Sequence, residues 1–377
     1  MKILFFVSSM NAGGAERVAA TLSSAWVRRG DLVTLVPTYG RKGTCFYTLN
    51  PGVRLIWLAD RLGWLGRTVV SPVAKWFALR RVVREIQPDV IVSFLTNVNV
   101  TVLYATRGMG IPVIVCERTN PEHSTAAGKW LPRLRQRSYP WASTVVVQSS
   151  EAVGAMEAVA PGLKRVRVLP NPLPTELLSI DTRPEPGSPR PARQTLVAMG
   201  RLVPSKQFDI LIQMFAALML DHPDWDLVIW GDGPLRTALQ QQIDDAGLGE
   251  RIALGGRTDQ PWQVLARADL FVMTSRVEGF PNVLLEAMAL GRACVAFDCP
   301  SGPREMTENG KYALLVPLDD QRGFSHALSQ LMSDATLREV MGRRAALFVR
   351  ERYSLERTLD LWDGVLNEAI ATEHASS

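Results

Sequence analysis

Residues 2–30 read KILFFVSSMNAGGAERVAATLSSAWVRRG. The stretch runs from a short apolar segment, through a turn holding Gly13 and Gly14, into an amphipathic helix that Gly30 closes. The apolar segment is short and fits a strand better than a secretory signal. Working outward, the same alternation returns. DVIVSF, PVIVCE, STVVVQS and RVRVLP are strand candidates, and helical stretches such as VAKWFALRRVVREI lie between them. Strands separated by helices mean βαβ units and a parallel sheet.

The texture then changes. Residues 171–194, NPLPTELLSIDTRPEPGSPRPARQ, are crowded with proline, which removes backbone donors and breaks elements, so this segment reads as a linker. After it the alternation restarts with TLVAMGRL, DLVIWGDGP, RIALGGR, DLFVMTS, ACVAFDC and ALLVPL. The sequence predicts an α/β protein of two doubly wound domains: 1–172, a linker over 173–193, and 194–350. Two helices fill about 334–372, and a terminal helix and tail over 351–377 can cross back to the first domain.

A chain of 377 residues is long enough for two such domains. No stretch reaches 18 apolar residues, so nothing is expected to span a membrane, and the expected location is cytoplasmic. The four cysteines form no CxxC pair and read as reduced thiols. His222 and His123 have no partner at ligand spacing, so no metal site is expected. Charge is uneven: residues 1–171 carry 22 Lys+Arg against 9 Asp+Glu, whereas residues 172–377 carry 20 against 28. A basic first half points to an anionic partner.

In open parallel sheets, ligands bind beyond the carboxyl ends of the strands. After the first strand, Gly13 and Gly14 let a backbone approach a ligand at a helix start. In GRLVPSKQF, Arg201 and Lys206 put two cations at a strand's carboxyl end, which suits a diphosphate. GDGP (231–234) places Pro234 at a helix start, and GGRTD (255–259) can offer backbone groups to a nucleobase. In RVEGFPNVLLEAMALG (276–291), Glu278 follows a strand and Pro281 starts a helix whose free N–H groups attract a phosphate. Glu286 then lies roughly 7.5 Å along that helix, about the reach from a diphosphate to a ribose. A carboxylate there can accept from ribose hydroxyls. DWD (224–226) reads as a helix–strand turn rather than a metal motif.

On NAGGAER (11–17), GRLVPSK (200–206), GDGP (231–234), EGFPNVLLEAMALG (278–291) and SGPREMTENGKYALLVP (301–317), the sequence resembles the family 4 retaining glycosyltransferases. The resemblance implies the GT-B fold, two Rossmann-like domains facing across a cleft. It implies that Arg201 and Lys206 hold the donor's diphosphate and stabilise the leaving phosphate, so these and Glu278 are the catalytic candidates. Glu286 would bind the ribose and Glu278 the transferred sugar. The backbone over Pro281, Asn282, Val283 and Leu284, with Phe280 beside it, would hold the distal phosphate. Arg257 would lie near the base, and Gly13 and Gly14 would close over the donor. No metal or other cofactor is required. Where relatives carry a His near the reacting sugar, this chain reads VCERTNPEH, and Glu117, Arg118 and His123 are the candidates for that place.

The basic half mixes Trp, Arg and Lys in WLADRLGWLGRTVVSPVAKWFALRRVVREI and KWLPRLRQRSYPW, a composition suited to a bilayer surface. Lys75, Arg80, Arg81 and Arg84 can meet the phosphates of a lipid-linked acceptor. The expectation is a peripheral enzyme on the inner face of the plasma membrane that moves a hexose or N-acetylhexosamine from a nucleotide sugar. UDP is favoured over GDP, and the acceptor would be an undecaprenyl-diphosphate-linked glycan for surface polysaccharide. No RNA-binding motif supports a nucleic-acid partner. The alternatives are a nucleotide-sugar epimerase on the same fold and a non-catalytic nucleotide-sugar-binding subunit. A nicotinamide dehydrogenase is disfavoured because no GxGxxG follows the first strand.

Overall fold

The computed structural model describes residues 1–39, 45–62, 72–119, 130–182 and 193–375. His123, and residues 183–192 of the expected linker, lie outside the described residues. The chain divides into two compact units, Met1–Pro172 together with Leu355–Ser377, and Leu173–Ser354.

In the first unit the strands are β1 (Lys2–Val7), β2 (Leu32–Pro37), β3 (Arg54–Leu55), β4 (Val90–Phe94), β5 (Val113–Cys116), β6 (Thr144–Val147) and β7 (Val166–Val168). Every pairing is parallel, in the order β3-β2-β1-β4-β5-β6-β7. The helices are α1 (Gly14–Arg28), α2 (Pro72–Ile86), α3 (Thr96–Thr106), α4 (Leu131–Ser138) and α5 (Glu151–Val159). Ile3 to Val7 are all buried, because a parallel strand covered on both faces has no solvent side.

The second unit repeats the plan with β8 (Gln194–Met199), β9 (Trp225–Trp230), β10 (Ile252–Gly256), β11 (Leu270–Met273), β12 (Ala293–Asp298) and β13 (Leu314–Pro317). Its order is β10-β9-β8-β11-β12-β13, again parallel. Its helices are α6 (Phe208–Leu218), α7 (Arg236–Asp245), α8 (Pro261–Arg267), α9 (Asn282–Ala289), α10 (Pro303–Met306), α11 (Gln321–Ser333) and α12 (Ala335–Arg352). The residues from Leu173 onward pack within this unit. Leu173 and Leu177 are buried, and Leu173 donates its N–H to the Tyr353 carbonyl at 2.8 Å.

The last helix, α13 (Leu355–His374), belongs to the first unit. Its apolar stripe of Leu355, Leu359, Trp362, Val365, Leu366 and Ala369 joins the core formed by β1, β4 and α1. Trp362 meets Trp26 edge to face, with centroids 5.5 Å apart, and lies 6.5 Å from Phe94. Arg29 pairs with Asp360 at 3.0 Å and Asp363 at 2.5 Å, and Arg167 pairs with Glu368 at 2.9 Å. The apolar stripe of α13 thus covers the β1–α1 layer of the first unit.

In both sheets the strand order reverses once, between β1 and β4 and between β8 and β11. Chains leaving adjacent strands diverge there, so each carboxyl edge opens a crevice at that point.

Candidate active site

The switch point of the second unit collects the motifs. The loop after β8 carries Arg201, exposed, and then a short 3-10 turn over Pro204–Lys206. The loop after β11 carries Glu278. Lys206 and Glu278 form an ion pair across these loops, with side chains 23% and 12% exposed. Two further bonds lock the loops in register: Thr274 Oγ1 donates to the Lys206 carbonyl at 2.8 Å, and the Arg276 N–H to the Ser205 carbonyl at 2.8 Å.

Two glycines let the neighbouring loops approach. Gly231 has φ +138, and a Cβ there would lie 1.8 Å from the Gly200 carbonyl oxygen. Gly302 has φ +112, and its Cβ would lie 2.5 Å from Pro281 Cδ. The GDGP and SGPREM motifs are thus places where adjacent crevice loops touch, Gly231 against the Gly200 backbone and Gly302 against the Pro281 ring. Pro234 sits two residues before α7 rather than at its first position; the chain turns through Gly233–Leu235 to pack on the loop after β8.

Pro281 is the N-cap of α9. The first-turn N–H groups of Val283 and Leu284 have no carbonyl within the helix, and they mark its positive end. Phe280 is buried edge to face on Tyr353, 5.9 Å between centroids, so its side chain serves the core. Leu284 is likewise buried. These two can act on a ligand through backbone only. Asn282 continues the backbone turn, its N–H donating to the Phe280 carbonyl at 2.8 Å.

Glu286 is 2% exposed, and its Oε2 accepts a hydrogen bond from Trp262 Nε1 at 3.1 Å. Trp262 comes from α8, which packs against α9. A buried carboxylate held by an indole is aimed, unlike a surface glutamate free to sample rotamers. Arg257 is exposed and pairs loosely with Asp232 at 3.3 Å. Asp226 of the DWD sequence is spent on Arg251 at 2.9 Å. Among the described residues no three His, Cys, Asp or Glu side chains gather as a metal site.

At the switch point of the first unit, Gly14 opens α1. Gly13 donates its N–H to the Tyr47 hydroxyl at 2.9 Å. Glu16, one turn in, accepts from Ser9 Oγ at 2.9 Å. Glu117 and Arg118 follow β5 and go separate ways. Glu117 is 2% exposed, accepts from the Tyr139 hydroxyl, and takes Thr96 Oγ1 at 2.8 Å. Burial pushes its carboxyl above the usual range, against the pull of those two donors and of Arg135. Glu117 is therefore tied inside the unit to Tyr139 and Thr96. Arg118 lies over the Phe94 ring with its guanidinium carbon 4.1 Å from the centroid.

The four basic residues expected on α2 do not share one face. Lys75 is turned inward, 9% exposed, with Nζ 3.4 Å above the Tyr39 ring, and burial lowers its pKa. Arg80 closes the end of α3, donating to the Ala105 carbonyl at 2.8 Å while stacking on Trp76. Arg81 and Arg84 face outward with Val73 and Phe77. Trp76, Phe77, Arg80, Arg81 and Arg84 line an open groove of about 380 Å³. Trp130, 71% exposed, and Leu134 stand at and on α4; α3 packs against both α2 and α4. No described helix is long and apolar enough to cross a membrane.

Sequence reasoning missed Trp262, Thr274 and Tyr139. Each acts on a residue 22 to 68 positions away, and no local spacing signals such pairs.

Two family models match the chain: Glycosyltransferase Family 4 over residues 12–177 and Glycosyl transferases group 1 over residues 193–334. An exopolysaccharide phosphotransferase of Streptomyces coelicolor is 28% identical over 98% of this chain, which spans only 41% of that relative's length. An undecaprenol-diphosphate-glycan α-1,4-N-acetyl-D-galactosaminyltransferase of Campylobacter jejuni is 28% identical, covering 92% of each chain. HepE of Anabaena, solved with UDP and glucose, superposes with a TM-score of 0.77 at 20% identity, over 97% of this chain and 99% of that one. With both units matched in order and the motif loops gathered at one sheet edge, the chain belongs to the family 4 glycosyltransferases and has the GT-B fold.

Proposed function

We propose that the protein transfers a hexose or N-acetylhexosamine, with retention of anomeric configuration, from a UDP-sugar to a lipid-linked glycan in surface polysaccharide or glycoconjugate synthesis. The observation that carries this reading is the crevice at β8 and β11, where Lys206 of the loop that also carries Arg201 pairs with Glu278 of the loop that leads into the amino end of α9. Arg201, Lys206 and the helix end would neutralise the diphosphate. Glu286, aimed by Trp262, would accept from the ribose hydroxyls, and Glu278 would face the transferred sugar. The reading needs no metal, because these groups supply the charge that the leaving phosphate requires.

The bond from the anomeric carbon to the β-phosphate oxygen breaks while the acceptor oxygen bonds to the same face. The acceptor's proton passes to the departing phosphate. Stabilising that phosphate in a preorganised site is then the main catalytic contribution. The Campylobacter relative acts on an undecaprenol-diphosphate glycan and HepE binds UDP, which supports the substrate class. The outward Arg81 and Arg84, on the same helix as the exposed Phe77 and Val73, support a site of action at an anionic membrane surface.

The test is calorimetric titration of wild type and Glu286→Ala with UDP, GDP, ADP and NAD. UDP should bind, and Glu286→Ala should weaken it at least about tenfold, roughly the value of one hydrogen bond to a charged group. If no nucleotide binds, or if the variant binds UDP as well as wild type, the reading fails.

A further inference from the structure

The first unit contains a buried cation that has no ion-pair partner among the described residues. Arg118 is 8% exposed. Its Nη2 donates to Asn171 Oδ1 at 2.5 Å, and the same oxygen accepts from Gln148 Nε2 at 2.7 Å. Its Nε is buried and has no hydrogen-bond partner. Among the described residues no carboxylate forms an ion pair with it; the opposite charge it senses is Glu16, at longer range. Burial lowers its pKa to about 10, so it stays protonated at neutral pH.

The neighbours are the wrong kind for a structural role alone. A phenyl ring and two amides orient a guanidinium but do not neutralise it. Buried charges in proteins are normally paired, because desolvation is costly. A charge held without a partner is an expense that folding alone does not justify. The position is also informative: Arg118, Gln148 and Asn171 follow β5, β6 and β7, three adjacent strands, at the carboxyl edge where such sheets take ligands. Glu117 fixes the strand end from the other side through Tyr139 and Thr96.

We propose that Arg118, oriented by Asn171 and Gln148, is an oxyanion receptor of the first unit that takes a phosphate or diphosphate group of the acceptor. A planar guanidinium fork matches such an anion. The donor's diphosphate is the other possible source, but that role has its own cations in the second unit, Arg201 and Lys206. The inference rests on the reading of the chain as a transferase with a nucleotide donor.

The experiment titrates inorganic pyrophosphate into protein already saturated with UDP, for wild type, R118Q, R118K and the double variant R81Q/R84Q. Pyrophosphate should bind wild type and R81Q/R84Q alike. R118Q should lose at least about tenfold, and R118K should fall between. R118Q should bind UDP within about twofold of wild type and melt at or above wild type without ligand, since a costly charge is gone. Three results would overturn the proposal: equal pyrophosphate affinity in R118Q and wild type, tenfold weaker UDP binding by R118Q, or a lower melting temperature for R118Q. The first denies the receptor, the second gives Arg118 to the donor, and the third makes it structural. Failure of wild type to bind UDP would instead strike the proposed function.

Discussion

Substituting Glu278 by Gln should tighten UDP binding while abolishing transfer. Without donor, Lys206 is engaged by Glu278, and both side chains are mostly shielded from water. Two unit charges about 4 Å apart at an effective dielectric of about 20 attract by roughly 4 kcal/mol. Most of that is offset by desolvation and by ordering the side chains. An ammonium also has three donors and can share them between a carboxylate and a phosphate. The net competition is then about 1 kcal/mol, so Glu278→Gln should bind UDP roughly fivefold tighter. Lys206→Met should bind it weaker by about 1.5–3 kcal/mol, the value of a hydrogen bond to a charged group. The assay is titration calorimetry with UDP near 0.15 M salt, alongside a transfer assay. If Glu278→Gln binds UDP no better than wild type while Lys206→Met binds it worse, the carboxylate does not compete for Lys206. The electrostatic picture of the crevice would then be wrong.

Vesicles of anionic lipid should sediment the protein in a salt-sensitive manner, and Arg81→Glu with Arg84→Glu should abolish it; binding unaffected by either change would remove the membrane role of α2. Trp362→Ala should cost about 3–5 kcal/mol in chemical denaturation of the first unit, the usual loss for a buried tryptophan, and a loss under 1 kcal/mol would mean α13 is only loosely docked. Glu117→Gln should change how stability depends on pH. The raised carboxyl pKa means that the Glu117 contribution is full below the ordinary value of 4.5 and is lost as pH rises through the folded value. The melting temperature of Glu117→Gln relative to wild type should therefore climb from pH 4.5 to pH 8, and a constant difference would show that Glu117 does not titrate as described.

Much of the fold could be read because parallel strands buried on both faces leave uniform apolar runs. KILFFV and DVIVSF fall on strands of the first sheet and ACVAFDC on a strand of the second. The second-unit loops were legible because glycine is required where loops approach too closely for a Cβ, as at Gly231 and Gly302. Side-chain direction was not. Lys75 and Arg81 sit on one helix and look equivalent in sequence, yet one covers Tyr39 and the other faces outward. Glu117 and Arg118 are adjacent and both were candidates for a crevice role, but successive residues at a strand end point to opposite faces. The pairing of Lys206 with Glu278 depends on β8 lying beside β11, which is topology rather than local pattern.

The aromatic seam between Trp26 and Trp362 also has a temporal meaning. During synthesis α1 emerges early and α13 only after all of Leu173–Ser354 has been made. At roughly 5–20 residues per second, that interval is on the order of ten to forty seconds. Throughout it the first sheet carries an uncovered apolar face over Trp26, Phe5 and Phe94, a surface for a chaperone to hold or a protease to find. A chain that stops short of Leu355 keeps that face open permanently, however well its second unit has formed. The terminal helix thus acts as a completeness check, letting the first half reach its stable form only when the second half has been translated.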